Sequence, residues 1–515
     1  MYSTILSGAL TGISAYPVCV EVDAASGLPM FNMVGSLAGE VRESRERVQV
    51  ALKNAGLSIP PMHITVNLSP ADRRKEGTGF DLPIAVGVLE SLKYFPKEAA
   101  QGILFLGELG LNGEIRRVRG VLPIVREAAL RGVKECIVPK ENAGEGAVIP
   151  GIRVRGAENI AQVLSFLQES AEKREKILTQ VQVDTESLFT ERERECRYDF
   201  SEIIGQESAK RAAEIAAAGF HNLLMTGPPG AGKSMIAKSI PGILPPLTLE
   251  ESLEVTSVAS VAGQIGENAL ITQRPFQAPH HSVSMAALTG GGSRPKPGII
   301  SLAHRGVLFL DELPEFSRQV LDSMRQPIED KKVYVARASQ NVTYPADFML
   351  VCAMNPCPCG FYPDRNRCTC TETMIGKYMG RVSGPLLDRI DLCVEIQPVD
   401  AVSLRKTEHA TGESSASIRK RVMSARSMQE ERFQNSSYHF NADVEAVDMD
   451  KFCALGAAEQ KCMEQLYESL RLSVRAYHRI RRVARTIADL AGEKEIQKEH
   501  LMEAACFRPA REYWR

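Results

Sequence analysis

The sequence predicts an α/β protein in three parts: a mixed α/β N-terminal domain, a central α/β domain with a parallel sheet, and a helical C-terminal region. Three observations predict it. Short apolar runs alternate with helical periodicity over the first third of the chain. Around residues 223–225 and 307–310 the runs are apolar at every position, as in strands of a parallel sheet buried on both faces. From about residue 402 onward the pattern is helical.

At about 150 residues per domain, 515 residues suggest two to four domains. The expected boundaries are 1–168 for the first domain, 169–198 for a linker dense in Glu, Lys and Arg, 199–398 for the central domain and 399–515 for the helical lid. The 62 basic and 63 acidic residues balance, so nucleic-acid binding would have to come from local patches. No run of about 18 apolar residues exists to span a membrane. The N-terminus lacks the basic region and apolar core of a signal peptide, so a cytoplasmic protein is expected. Its 12 cysteines should then be reduced thiols or metal ligands.

In the first domain, Cys19–Val22, Ile64–Leu68, Ile103–Gly107 and Cys136–Val138 read as strands, and Val41–Ala55 and Leu82–Leu92 as helices. The stretch from Glu76 through Val121 to Ile137-Val-Pro-Lys-Glu-Asn resembles the proteolytic domain of Lon-type proteases, which has the ribosomal S5 domain 2-like fold. Such proteases need a Ser nucleophile and a Lys base. The segment expected to carry the serine reads Phe80-Asp-Leu-Pro-Ile-Ala, and that expected to carry the lysine reads Val121-Leu-Pro-Ile-Val-Arg. Both lack the residue required, so a non-proteolytic relative is expected, used for assembly or substrate contact.

The central domain opens with a helical pattern over Gln206–Gly219. Ile203, Ile204 and Gly205, just before it, suit either an adenine pocket or ordinary core packing. An apolar run ending at Met225 then leads into Gly227-Pro228-Pro229-Gly230-Ala231-Gly232-Lys233-Ser234, a full match to G-x-x-x-x-G-K-S/T after a strand. The glycines let successive N–H groups point at phosphate oxygens, and the helix that follows adds its positive end. Lys233 would reach the β- and γ-phosphates of ATP, and Ser234 would offer its hydroxyl to Mg²⁺. The second apolar run ends in Asp311 and Glu312. Asp311 is placed to hold the Mg²⁺ shell and Glu312 to act as general base on a water.

Between these motifs, residues 261–302 form an insertion containing Gln277-Ala-Pro-His280-His281-Ser. On a strand the two imidazoles would face opposite ways, so a structural or partner-contact role is expected rather than a shared metal. A helix from about Arg318 to Glu329 precedes a hairpin beginning at Lys331-Lys332-Val-Tyr-Val-Ala-Arg337, with Arg337 near its tip. Those charges could touch nucleic acid or simply guard a sheet edge. Asn355 ends the next apolar run, where an amide can orient the attacking water. Cys357, Cys359, Cys368 and Cys370 then fall within 14 residues, as a Zn²⁺ site or as four reduced thiols. Arg389 follows a short helix. It could reach a neighbouring subunit's nucleotide or pair with Asp388 or Asp391. Six arginines between Arg471 and Arg485, with no acidic residue among them, should leave several guanidinium groups displayed. Arg475, at that helix start, is the candidate to touch the γ-phosphate.

This order of motifs, with Ala-Pro-His-His-Ser, Asn-Pro-Cys-Pro-Cys-Gly, Gly-Pro-Leu-Leu-Asp-Arg-Ile-Asp and Arg-Thr-Ile-Ala-Asp-Leu, resembles the Mg-chelatase-like, ComM-type family of AAA+ ATPases over essentially the whole chain. The resemblance implies that Asn355 is sensor 1, Arg389 the arginine finger and Arg475 sensor 2. It implies a homohexameric ring with nucleotide between subunits, and Arg337 as the pore-hairpin basic residue with Lys332 nearby. The implied function is an ATP-driven DNA motor, a helicase for branch migration in recombination of incoming DNA, with single-stranded or branched DNA and recombination proteins as partners. The alternative is a magnesium-chelatase-type motor that remodels a partner protein. A non-enzymatic, ATP-gated platform is a third reading, against which Glu312 argues.

Overall fold

The computed structural model describes residues 1–192, 198–266, 269–292, 295–337, 340–398 and 412–508, with the side chains of residues 171, 190–192, 337 and 340 outside that description. Two compact units are present. One comprises Met1–Glu191 with Ser252–Ile271 and Ala338–Thr343, the other Arg192–Glu251, Thr272–Arg337 and Tyr344–Arg515.

The first unit is built on seven strands: β1 (Tyr2–Thr11), β2 (Ser14–Ala25), β3 (Met30–Val34), β4 (His63–Ser69), β5 (Ile103–Phe105), β6 (Glu135–Pro139) and β7 (Arg153–Ala157). Their order is β3-β4-β2-β1-β5-β6-β7. β2 runs antiparallel to both β1 and β4, while the other neighbours are parallel. Tyr16, Val18, Val20, Val22 and Ala24 alternate inward along β2, giving the sheet one buried face. Helices α1 (Ser44–Asn54) and α2 (Asp81–Ser91) lie on that face, where α2 is buried at every position, while α3 (Val121–Leu130) sets Ile124 against Gly8 on the other. At its start Asp81 forms a paired ionic contact with Arg47, at 2.7 and 2.9 Å, and accepts the Leu109 N–H at 3.1 Å. A buried ion pair therefore stands in the segment where a protease of the Lon type would need its serine.

In the second unit the strands include β8 (Leu223–Thr226), β9 (Phe276–Gln277), β10 (Val307–Leu310), β11 (Lys332–Arg337), β13 (Met349–Met354) and β14 (Leu392–Glu395), while β12 (Gln340–Pro345) is divided, its residues 340–343 belonging to the first unit. Five of them make an all-parallel sheet in the order β9-β10-β13-β8-β14, and β11 with β12 makes the expected hairpin. Every residue of β10 and β13 is buried, which is why those segments are continuously apolar. Because β8 lies inside the sheet, its carboxyl end opens beside the ends of β13 and β14, where open α/β sheets form their crevice.

Helix α4 (Glu207–Gly219) covers this sheet with alanines, and α5 (Lys233–Ser239) follows the loop after β8. Further helices toward the C-terminus include α6 (Glu372–Met379), α7 (Ser415–Phe433), α8 (Ala457–Ser469), α9 (Val474–Leu490) and α10 (Lys498–Cys506). One core runs from Phe309 and Val351 through Ala212 and Ala216 to Val483 and Ile487, so the helical region and the sheet share apolar packing. The single helix expected near 318–329 is two, Arg318–Ser323 and Arg325–Asp330, with Pro327 in the first turn of the second. Among the described residues no helix is long and apolar enough to cross a membrane.

Candidate active site

Three sheet ends converge on one point. β8 delivers the glycine-rich loop, in which Gly230 and Gly232 adopt φ of +76° and +91°, a left-handed backbone that side chains disfavour. Lys233 turns back over that loop. Its Nζ donates to the carbonyls of Gly227 and Pro228 at 2.6 and 2.9 Å and to Asn355 Oδ1 at 3.0 Å. Burial lowers the pKa of Lys233, opposed by the charges of Asp311 and Glu312.

β10 ends at Leu310, and the next two residues do different work. Ser234 Oγ donates to Asp311 Oδ2 at 2.7 Å, pairing two hard oxygen ligands of the kind Mg²⁺ takes from a protein that leaves its other positions to water and phosphate. The donor set fits that ion. Asp311 Oδ1 also accepts the Glu312 N–H at 2.9 Å. Glu312 itself sits at φ +52°, a sparsely populated region for a residue with a side chain, and its carboxylate is 57% exposed. Such a carboxylate can hold a water and take its proton.

A histidine approaches that carboxylate. His281 Nδ1 lies 3.4 Å from Glu312 Oε2, with its ring edge-on to buried Phe316. The pair His280–His281 lies in a turn, not on a strand, so the rings stack at 4.0 Å instead of facing apart. Strand geometry was the wrong premise for this pair. His280 Nδ1 is within 2.8 Å of Ser282 Oγ, leaving His281 to face Glu312, a position that strand geometry did not reveal.

Asn355, directly after β13, accepts a hydrogen bond from Lys233 Nζ. The Cys357–Cys370 segment begins two residues later, and its four sulfurs lie within 4.8 Å of one another, close enough to share a metal ion. The Phe361 amide, with further help from the Cys357 thiol and the Thr369 amide, holds the Cys359 thiol down to about 6. Tyr378 of α6 receives a backbone hydrogen bond from Asn355, and burial together with Glu315 and Glu312 pushes its hydroxyl up to about 12. Nothing in the sequence marks Tyr378 for that position.

The arginines divide. Arg389 follows the short helix Gly384–Leu387 and is 10% exposed, bound to the Pro385 carbonyl and the Glu329 carboxylate. Neither aspartate considered from sequence is its partner, because Asp391 already faces Asn222, His221, Arg479 and Arg482. Arg475 is exposed in the first turn of α9. The other arginines of that helix are not displayed as expected. Arg479 holds the Asp388 carbonyl, Arg481 the Met449 and Cys453 carbonyls with Asp450, Arg482 the Ala442 and Val444 carbonyls, and Arg485 the Glu493 and Lys494 carbonyls with Asp489. Carbonyls remote in sequence consumed the charges that a local count left free.

On the hairpin, Lys331 is tied to Asp347 at 3.1 Å and to Asp443, whereas Lys332 is exposed. Val333 and Val335 point inward, so the open face of β11 carries Lys332 and Tyr334, the latter 55% exposed. The Arg337 side chain lies outside the described residues.

Comparison with known proteins places these features in a family context. The model of magnesium chelatase subunit ChlI matches residues 199–404, that of subunit ChlI of Mg-chelatase matches 20–142, and that of the ChlI C-terminal region matches 412–508. The chain is 42% identical to competence protein ComM of Haemophilus influenzae, over 98% of this chain and 97% of that protein. It is 42% identical to the uncharacterized protein YifB of Escherichia coli, again over 98% and 97%. A shorter likeness, 31% identity over 29% of this chain and 32% of the relative, is to DNA repair protein RadA of Listeria monocytogenes.

Proposed function

The chain belongs to the magnesium chelatase ChlI family of AAA+ proteins, and from that membership we propose that it is an ATP hydrolase that drives movement on DNA. The convergence of Lys233, Ser234, Asp311, Glu312 and Asn355 at the carboxyl ends of the inner strands carries the hydrolase reading. Lys233 exchanges its loop carbonyls for the β- and γ-phosphates of ATP. Ser234 and Asp311 would hold Mg²⁺, which when bound would neutralise charge developing on the phosphates. Glu312 takes the proton of the attacking water, and Asn355 orients that water. Arg389 serves a neighbouring subunit's nucleotide after release from Glu329, in a homohexameric ring, and Arg475 contacts the γ-phosphate from the lid. The same reading gives the four clustered thiols a Zn²⁺ ion, since thiolates select soft and borderline cations.

DNA is favoured over a protein substrate by two kinds of support. One full-length relative is a competence protein, and one partial relative a DNA repair protein. The open face of β11 sets an aromatic ring beside a lysine, a pairing that suits stacked bases and phosphate. On this reading the hairpin, with Lys332 and Arg337, grips single-stranded or branched DNA during recombination of incoming DNA.

The deciding assay is ATP turnover by the purified chain with Mg²⁺, alone and with single-stranded or four-way-junction DNA. Strong stimulation by DNA is expected. Turnover indifferent to DNA would move the assignment to remodelling of a partner protein.

A further inference from the structure

The cysteine cluster lies against the phosphate loop, and its geometry suggests more than a staple. Cys357 Sγ is 3.3 Å from Cys359 Sγ and 3.8 Å from Cys368 Sγ, and Cys359 is 3.6 Å from Cys368. Four sulfurs held tetrahedrally about 2.3 Å from one ion stand about 3.8 Å apart, whereas a disulfide bond is about 2.05 Å long. The spacings match the cage. A backbone amide already points at one ligand, with Tyr362 N–H donating to Cys357 Sγ at 3.4 Å, as outer-shell donors do around metal thiolates.

Little else holds this segment. Residues 355–371 contain neither helix nor strand. The aromatic side chains Phe361 and Tyr362 are only half-buried, under Arg367 and Arg365 at 4.1 and 5.0 Å. Yet Cys357, Cys368 and Cys370 are buried. A loop whose buried groups are mainly thiols has a metal as its natural core.

Three contacts join this loop to the site. Asn355, the acceptor for Lys233, stands two residues before Cys357. Helix α6 begins just after Cys370, capped by Thr371, and returns Tyr378 to the Asn355 backbone. Between them Gly360, at φ +85°, is pressed so closely on the phosphate loop that a Cβ there would stand 2.5 Å from Pro229 Cδ.

We infer that Cys357, Cys359, Cys368 and Cys370 bind one zinc-class divalent cation, and that this centre, by fixing Asn355 and seating Gly360 on Pro229, tightens nucleotide binding. The inference rests on the nucleotide reading of the loop. Linkage makes the coupling reciprocal: bound Mg-ATP strengthens retention of the metal by the same factor.

The test uses the full chain, stripped of metal under reducing conditions and reloaded with Co²⁺ or Zn²⁺, with metal content, visible absorption and Mg-ATP affinity measured on each form. The expected result is one ion per chain, the intense absorption of tetrahedral cobalt thiolate, and Mg-ATP affinity about tenfold or more weaker after stripping, restored by Zn²⁺. A Gly360→Ala chain should keep the cobalt spectrum while losing Mg-ATP affinity, which separates contact with Pro229 from metal binding itself. Substoichiometric metal without the tetrahedral spectrum overturns the site. A full metal complement with equal Mg-ATP affinity in stripped and loaded forms overturns the coupling. Failure of the loaded chain to bind Mg-ATP at all removes the nucleotide reading and the coupling together, while the cobalt spectrum still judges the cage.

Discussion

The two ends of the five-stranded sheet carry similar residue types and use them in opposite ways. At the amino ends, Asn222 donates its N–H to Asp391 at 3.1 Å and its amide to the Arg389 carbonyl at 2.8 Å, and accepts the Leu350 N–H at 2.8 Å. It stitches β8, β13 and β14 together. Asp391 beside it is largely enclosed, which alone would raise its pKa, but His221, Arg482 and Arg479 overcome that and hold it at about 2. At the carboxyl ends Lys233, Ser234 and Asp311 are likewise bonded, yet Glu312 and His281 remain open to solvent on one side. Polar groups saturated by their own chain hold the fold. Those that keep free coordination are available to a ligand.

Substitutions should therefore separate activity from stability according to the end they touch. The largest effect is expected from Glu312→Gln, which should cut ATP turnover about 10²–10⁴-fold while leaving the thermal melt of the chain unchanged. Near-normal phosphate release would break the distinction. At the opposite end, Asp391→Asn should leave Mg-ATP affinity intact but lower unfolding free energy by about 2 kcal/mol at neutral pH, from a shift of roughly two pKa units below 3.8. Because the folded pKa is depressed, that stability is present above about pH 4 and is lost as pH falls toward 2. Denaturant titrations of both proteins should converge across that window, and a constant gap would show that Asp391 acts through something other than its charge.

Smaller effects sharpen the picture. Tyr334→Ala on the open hairpin face should weaken single-stranded DNA binding by about 1 kcal/mol or more without altering DNA-free turnover. Equal DNA affinity would remove stacking from the account. Smallest of all, His281→Ala should lower turnover by up to about fivefold, the scale of a half-exposed polar contact. Unchanged turnover would mean that His281 only packs against Phe316.

How much of this was legible in the sequence followed from how local each feature is. The phosphate loop needs its glycines, lysine and serine within eight consecutive positions, and β10 and β13 need continuous apolar runs, so both read directly from the chain. Asn355 was found because it follows such a run. His281 was singled out but misjudged, since a strand would have turned it away from its neighbour and the chain makes a turn there instead. The α9 arginines were misread for a different reason. Their partners, among them the carbonyls of Asp388, Ala442 and Cys453, come from elsewhere in the chain, and backbone acceptors leave no mark in a charge count. Arg389 finds Glu329 sixty residues away by the same route.

The account depends above all on the glycine-rich loop binding a nucleoside triphosphate. Calorimetric titration of Mg-ATP into the purified chain and into Lys233→Ala tests this directly. The account predicts saturable binding by the first and loss of binding by the second, with both chains folded. Absence of binding by the unaltered chain, or equal binding by the two, would contradict it.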